Sequence, residues 1–133
     1  IKSGKLILGI CVGMQMLFSG SEEGHRAGLG LLEGKFVRFD PNSNSMKNKP
    51  IPHIGWNWVK PDKKSKLFDG EVSKFYYVHS YFMDSNCQYR IASSKYGEEF
   101  CCAVQHENIF GVQFHPEKSN KAGLNLIKKF CDI

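Results

Sequence analysis

No apolar run in this 133-residue chain approaches the ~20 residues that a membrane-spanning helix needs. No stretch has the charged, apolar and small-residue order of a secretion signal. The five cysteines, Cys11, Cys87, Cys101, Cys102 and Cys131, are odd in number and show no C-x-x-C spacing. Such usage argues against a disulfide framework or a zinc site and predicts a reducing cytoplasm. Cys101 and Cys102 are adjacent, so in a strand they point to opposite faces and cannot form a simple metal pair. No other His/Cys spacing fits a metal, and no cofactor is expected. Lys+Arg 18 against Asp+Glu 13 gives a net charge of +5. Many of the lysines (Lys47, Lys49, Lys60, Lys63, Lys64, Lys66) fall in probable loops and read as solvated surface. With no nucleic-acid motif beside them, neither a nucleic acid nor a membrane is expected as a partner. There is no internal repeat and no low-complexity tract.

The stretch that organises the rest is Lys5 to Gln15, KLILGICVGMQ. A short apolar run ends at Cys11, and a helical pattern, Val12 to Phe18, begins at once. This is the pattern of a nucleophile elbow: a strand enters, a sharp turn holds up one reactive side chain, and a helix leaves. A nucleophile on such a turn is usually held at φ > 0, at a cost of about 1–3 kcal/mol for a non-glycine residue. Gly9 and Gly13 are expected to relieve crowding around it. At a helix N-terminus the dipole and free N–H groups favour a thiolate, and the Val12 N–H is placed to bind an oxyanion. Gln15 falls on the same helix face as Cys11, one turn on. Elbow strands normally have neighbours on both sides. Since the chain begins at Ile1, a few residues before this strand, residues 1–133 are expected to be the C-terminal portion of a longer domain.

Ser19 to Gly30 reads as a loop carrying Glu22, Glu23 and His25. Lys35 to Phe39 reads as a strand and Asp40 to Pro50 as a polar loop. Ile51 to Val59 and the aromatic Phe75 to Phe82 are strands, with Trp56 and Trp58 on one face of the first. Cys87 to Ser93, Glu99 to Val104 and Ile109 to Phe114 complete a mostly antiparallel or mixed sheet region after one βα unit. Asn120 to Ile133 reads as an amphipathic helix, N-capped by Ser119, with Leu124, Ile127 and Cys131 at helical spacing and Phe130 beside them.

His115 follows directly on IFGVQF, at the carboxyl end of a strand, where active sites of open α/β sheets lie. A cysteine nucleophile needs an imidazole base, and the imidazole needs an orienting carboxylate. Glu117 supplies one, and Pro116 stiffens the link. His25, His53 and His106 have no chemical partner nearby in sequence, and His79 lies mid-strand among aromatics, so all four read as structural.

GICVGMQ and FGVQFHPEKS resemble the two hallmarks of class I glutamine amidotransferases, G-x-C-x-G-x-Q and the later H-P-E. SEEG, PHIGWNWV and YYVHSYF look like the glutaminase subunit of imidazole glycerol-phosphate synthase, and the resemblance runs through nearly the whole chain. It implies an α/β fold: a flavodoxin-like, α/β-hydrolase-like sheet with flanking helices, here with its N-terminal part missing. It implies that Cys11 attacks the carboxamide of L-glutamine to form a glutamyl thioester. His115 is then the base that protonates the leaving ammonia, Glu117 orients it, and Val12 gives an oxyanion N–H. Gln15, Glu23, His79, Ser80 and Tyr81 would line the glutamine pocket. Trp56, Tyr76 and Lys118 would lie near a (β/α)₈ cyclase subunit that uses the ammonia in histidine biosynthesis, with glutamine hydrolysis gated by that partner. The glycine-rich segment that completes the family's oxyanion hole is not in this sequence, so the chain alone is expected to be a poor glutaminase.

Three other readings share the motifs. A paralogous amidotransferase could feed another synthase, such as an amidino-sugar pathway. A γ-glutamyl hydrolase would need no partner, against which PHIGWN weighs. A scaffold with a dead site is disfavoured by Cys11, His115 and Glu117 all being present.

Overall fold

The structure is a computed structural model that describes residues 3–62 and 65–133. Lys63 and Lys64 lie outside the described residues, while Lys47, Lys49, Lys60 and Lys66 are exposed. No helix among the described residues is long and apolar enough to cross a membrane.

Strand β1 (Ile7–Ile10) leads through Cys11 into α1 (Val12–Leu17), and then into β2 (Phe18–Ser21) and β3 (Leu32–Arg38). After a loop come β4 (His53–Pro61), β5 (Ser73–His79), β6 (Tyr81–Asp84), β7 (Arg90–Tyr96), β8 (Glu98–His106) and β9 (Ile109–Val112). A short 3₁₀ turn, Pro116–Lys118, precedes α2 (Asn120–Cys131). β1 runs parallel to β9, Ile7 opposite Ile109 and Ile10 opposite Val112. β9 is antiparallel to β8, which pairs with β7 and β6. β3 joins through β6, and the β4–β5 ribbon joins through β7. With β2 parallel to β3, the sheet is mixed, as its density of short strands implied.

The core forms on both faces of this sheet. Along β8, Phe100 and Cys102 enter one cluster with Phe75, Tyr77, Phe110, Phe114 and Leu126, on the α2 side. Cys101 and Val104 enter the other with Met14, Leu17, Phe18 and Phe36, on the α1 side. The adjacent cysteines therefore do face opposite ways, and burial pushes the Cys102 thiol up to about 12. Such thiols are small hydrophobes.

Three expectations are corrected. Phe75 to Phe82 is not one strand: it breaks at Ser80 into β5 and β6, because the His79 imidazole bonds the Tyr81 carbonyl at 2.7 Å. Part of the loop at Ser19 to Gly30 is strand β2, seated against β3. The buried stripe of α2 is Gly123 and Leu126, with Phe130 packed alongside, whereas Leu124 is 68% exposed and Cys131 is exposed. The helix is set at this rotation because Gly123 rests on the Pro116 carbonyl, 1.8 Å from where a Cβ would stand.

His53 and His79 are buried in the aromatic part of the core, packed with Tyr77 and Phe100. Burial lowers His53 to about 3 and His79 to about 4, and each is also pushed down by a neighbouring histidine. The unfolded chain binds these two protons below an ordinary value of about 6.5, and the folded one does not. Their contribution to stability is therefore complete above that pH and is lost as pH falls toward 4. Stability against urea should fall by about 2–3 kcal/mol per unit of falling pH near pH 5.5 from these two groups together. His53→Asn should remove about half of that slope; an unchanged slope would show that His53 is already charged in the folded protein.

Candidate active site

β1 ends beside β9, and the Cys11 N–H donates to the Val112 carbonyl at 2.8 Å, so the paired strands hold the elbow at its root. Cys11 sits at φ 52°, ψ −111°, the expected positive-φ conformation. Gly9 is required there: a Cβ would stand 2.7 Å from the Gly13 carbonyl carbon and oxygen and 2.8 Å from the Met14 nitrogen. Gly13 is not required in the same sense, since a Cβ there meets nothing within 4 Å.

The Cys11 thiol donates to the Val78 carbonyl of β5 at 3.7 Å and receives the Gln113 side-chain amide at 3.8 Å. Burial pushes this thiol above its ordinary value, and the charges of Glu23 and Glu117 add to that; the Val12 N–H and the Gln113 amide pull the other way. The expected resting thiolate is therefore corrected to a thiol. A six-residue helix offers too small a dipole to offset desolvation.

His115 stands just beyond β9, with its N–H donating to the Tyr76 carbonyl at 2.8 Å. Its Nδ1 meets Glu117 Oε1 at 2.6 Å. The proton therefore sits on Nδ1, and Nε2 is left as the basic nitrogen in the neutral ring. That Nε2 is buried and makes no hydrogen bond among the described residues. Cys11 and His115 thus face the same strand: β5 holds the thiol at the Val78 carbonyl and the histidine backbone at the Tyr76 carbonyl. Proton transfer requires the Sγ to turn from the Val78 carbonyl to Nε2, since no bond joins them at rest.

A cleft of about 340 Å³ adjoins the elbow, lined by Val12, Gln15, Met16, Ser21, Glu23 and Arg26 among others. Ser21 Oγ donates to Gln15 Oε1 at 3.0 Å and accepts the Glu23 N–H at 3.2 Å, joining two of the expected pocket residues. The segment His79–Tyr81 is not part of this lining. The His79 ring is turned into the core, and Ser80 and Tyr81 are half-buried at the β5–β6 corner. Trp56 lies on the exposed face of the β4–β5 ribbon, opposite Tyr76 and edge-on to it at 6.0 Å. Lys118 is exposed on the 3₁₀ turn after His115.

Sequence reasoning missed Ser119 and Gln113. Ser119 makes no side-chain cap; its hydroxyl donates to the His115 carbonyl at 2.6 Å and accepts the Tyr76 N–H at 2.9 Å. It ties the His115 turn to β5 through a bond that spans 43 residues, a long-range role that the N-cap reading concealed. Gln113 is fully buried in a run of apolar neighbours, and an amide in such a run is itself a signal. Ser119→Ala leaves the part-buried Tyr76 N–H without its partner and should cost about 1–2 kcal/mol of stability. Chemical denaturation checks this; a loss under 0.5 kcal/mol would mean that the turn is held by other contacts.

This arrangement combines an elbow cysteine, a histidine with one nitrogen free and a carboxylate on the other, the parts that nucleophilic cysteine chemistry uses. The class-I glutamine amidotransferase family model matches residues 1–133, and the chain belongs to that family. It is 48% identical over 130 residues to the imidazole glycerol phosphate synthase subunit HisH of Bdellovibrio bacteriovorus, covering 96% of this chain and 63% of that one. The subunit of the same name from Helicobacter hepaticus is 44% identical over 139 residues, covering 100% of this chain and 62% of that one. The chain thus spans somewhat over three-fifths of the length of these relatives. Among solved structures, PurLQS from Thermotoga maritima matches with a TM-score of 0.71 at 19% identity, covering 98% of this chain and 63% of that one. At that identity the likeness is one of fold, and it agrees with the mixed sheet and flanking helices seen here.

Proposed function

We propose that the chain is the C-terminal portion of a glutaminase subunit that hydrolyses L-glutamine to glutamate and ammonia in the cytoplasm. In this reading it passes the ammonia to a (β/α)₈ cyclase making imidazole glycerol phosphate in histidine biosynthesis. The observation that carries the reading is the His115–Glu117 pair at 2.6 Å with Nε2 unbonded, beside a cysteine at φ 52°. The similarity to HisH subunits supports the substrate and the partner.

The chemistry then follows from the resting geometry. His115 Nε2 takes the Cys11 proton as the sulfur attacks the glutamine carboxamide carbon. The oxyanion of the tetrahedral intermediate forms beside the Val12 N–H. Nε2–H returns its proton to the departing nitrogen, the C–N bond breaks, and ammonia leaves a γ-glutamyl thioester on Cys11. Water, deprotonated by the same nitrogen, cleaves the thioester to glutamate and restores the thiol. Glu117 stays ionised and holds the imidazolium that forms in both steps. Gln15 and Glu23, joined through Ser21, hold the amino-acid end of the substrate in the adjoining cleft.

The partner face is proposed to be the outer side of the β4–β5 ribbon. Ile54 opposes Val78, Trp56 opposes Tyr76 and Trp58 opposes Lys74, a largely apolar face with Trp56 48% and Trp58 55% exposed. Such a contiguous apolar patch marks an interaction site. The same ribbon presents its Val78 and Tyr76 carbonyls to Cys11 and His115, so a partner seated on it, reaching Lys118, lies next to where ammonia is released.

The test is glutamine hydrolysis by the full-length protein, with and without the cyclase subunit and its ribonucleotide ligand, and with Cys11→Ala as control. A large rise with both present, abolished in the variant, is expected. A Cys11-dependent basal rate that does not respond to the cyclase would assign the subunit to a different synthase.

A further inference from the structure

We infer that His53, far from the reacting atoms in sequence, is a positioning residue for this site: a hydrogen-bond relay from Asn57 through His53 and His79 to the Tyr81 carbonyl fixes the corner at which β5 ends beside Cys11. The inference rests on the proposed glutaminase reading of the Cys11 site.

The relay has one self-consistent arrangement of protons. The Tyr81 carbonyl can only accept, so His79 Nδ1, 2.7 Å away, carries a hydrogen. In a neutral ring His79 Nε2 is then an acceptor, so His53 Nδ1, 2.9 Å from it, carries the next hydrogen. His53 Nε2 is left as the acceptor for the Asn57 amide nitrogen at 3.2 Å. The orientation of Asn57 is pinned independently: its nitrogen also donates to the Lys95 carbonyl at 2.9 Å, and its oxygen accepts the Trp58 N–H at 2.8 Å. Both imidazoles are thereby held in the Nδ1–H form. The His53 ring is clamped between Tyr96, with centroids 3.9 Å apart, and Tyr77, 4.8 Å apart, so it has no second position to occupy.

The consequence reaches the site through β5. The His79 Nδ1–H bond to Tyr81 turns the chain at Ser80 and ends β5, whose Val78 carbonyl contacts Cys11 Sγ and whose Tyr76 carbonyl holds the His115 N–H. The other end of the relay lies on β4, between Trp56 and Trp58. His53 thus sets where β5 stops without touching substrate.

The experiment compares the full-length protein with His53→Phe and His53→Asn. Phe keeps the stack between Tyr96 and Tyr77 but removes the relay, and Asn replaces the Nδ1–H donor to His79. In the unaltered protein, nitrogen-15 NMR of the imidazoles should show both His53 and His79 protonated at Nδ1 alone. In assays with the cyclase subunit present, His53→Phe should lower kcat for glutamine about tenfold, the worth of one buried hydrogen bond, with KM changed less. His53→Asn should recover most of that loss. An Nε2–H form of either ring, an unchanged kcat in a folded His53→Phe protein, or Asn no better than Phe would each overturn the inference. Absence of any Cys11-dependent glutamine hydrolysis in the unaltered protein would instead overturn the glutaminase reading, and with it the role in positioning Cys11 and His115, while the NMR spectrum would still decide the proton arrangement.

Discussion

On the proposed glutaminase reading, Cys11→Gly is expected to abolish glutamine hydrolysis and to stabilise the protein at the same time. The activity loss follows from removal of the sulfur at the elbow: without it no thioester forms, and the remaining rate should lie at least about 10³-fold below that of the unaltered protein. The stability gain follows from the backbone. At φ 52°, ψ −111° a side chain carries a strain of about 1–3 kcal/mol that glycine does not. Glycine gives back about 0.5–1 kcal/mol through the greater freedom of the unfolded chain. The net gain is about 1 kcal/mol, or about 3–5 °C in the thermal midpoint for a domain of this size. A parallel Cys11→Ala protein, equally inactive, keeps the strain and should gain nothing. Calorimetry of the two decides whether the turn stores energy for the nucleophile. If the glycine variant melts at or below the alanine variant, the elbow is not strained.

Gly9→Ala should do the reverse, damaging fold and site together. Its Cβ would stand 2.7–2.8 Å from backbone atoms of Gly13 and Met14, and backbone cannot rotate aside as a side-chain tip can. Overpacking of this kind costs about 1–3 kcal/mol. Strand β1 and helix α1 must part, and Cys11, which joins them, moves with the separation. A displacement of about 1 Å at the nucleophile lowers turnover by about 10². Gly13→Ala is the control, because a Cβ there meets nothing within 4 Å and alanine is the better helix former by up to about 1 kcal/mol. Thermal melts of both variants, with turnover of the full-length protein, check the contrast. Equal damage in the two would mean that the helix and strand approach differently from the geometry described here.

The elbow and the His115–Glu117 pair were legible in the sequence because each is local: two glycines flank one cysteine, and a carboxylate stands two residues after a histidine. Their union was legible only through chemistry, since Cys11 and His115 meet through β5. The break at Ser80 was hidden because Phe75 to Phe82 has strand composition throughout, and the interruption comes from a side-chain bond at His79 whose tautomer depends on His53, 26 residues away. The rotation of α2 was misread for a related reason. Leu124, Ile127 and Cys131 form a plausible apolar stripe, but the helix is set by Gly123 against the Pro116 carbonyl, a contact that hydrophobic spacing cannot express. Ser119 was assigned to the local task of capping, while the fold uses its hydroxyl to join the His115 turn to β5. The expectation of a thiolate at Cys11 weighed the helix terminus and left out burial, which the sequence does not reveal and which dominates in the folded chain.

The most direct measurement of the central claim is mass spectrometry of the full-length protein quenched in acid during glutamine turnover. The account predicts a γ-glutamyl adduct on the peptide that contains Cys11 in the unaltered protein during turnover, and none when His115 is replaced, because the same imidazole is needed to form the thioester. An unmodified Cys11 peptide throughout turnover, or an adduct on Cys87 or Cys131 instead, would contradict it.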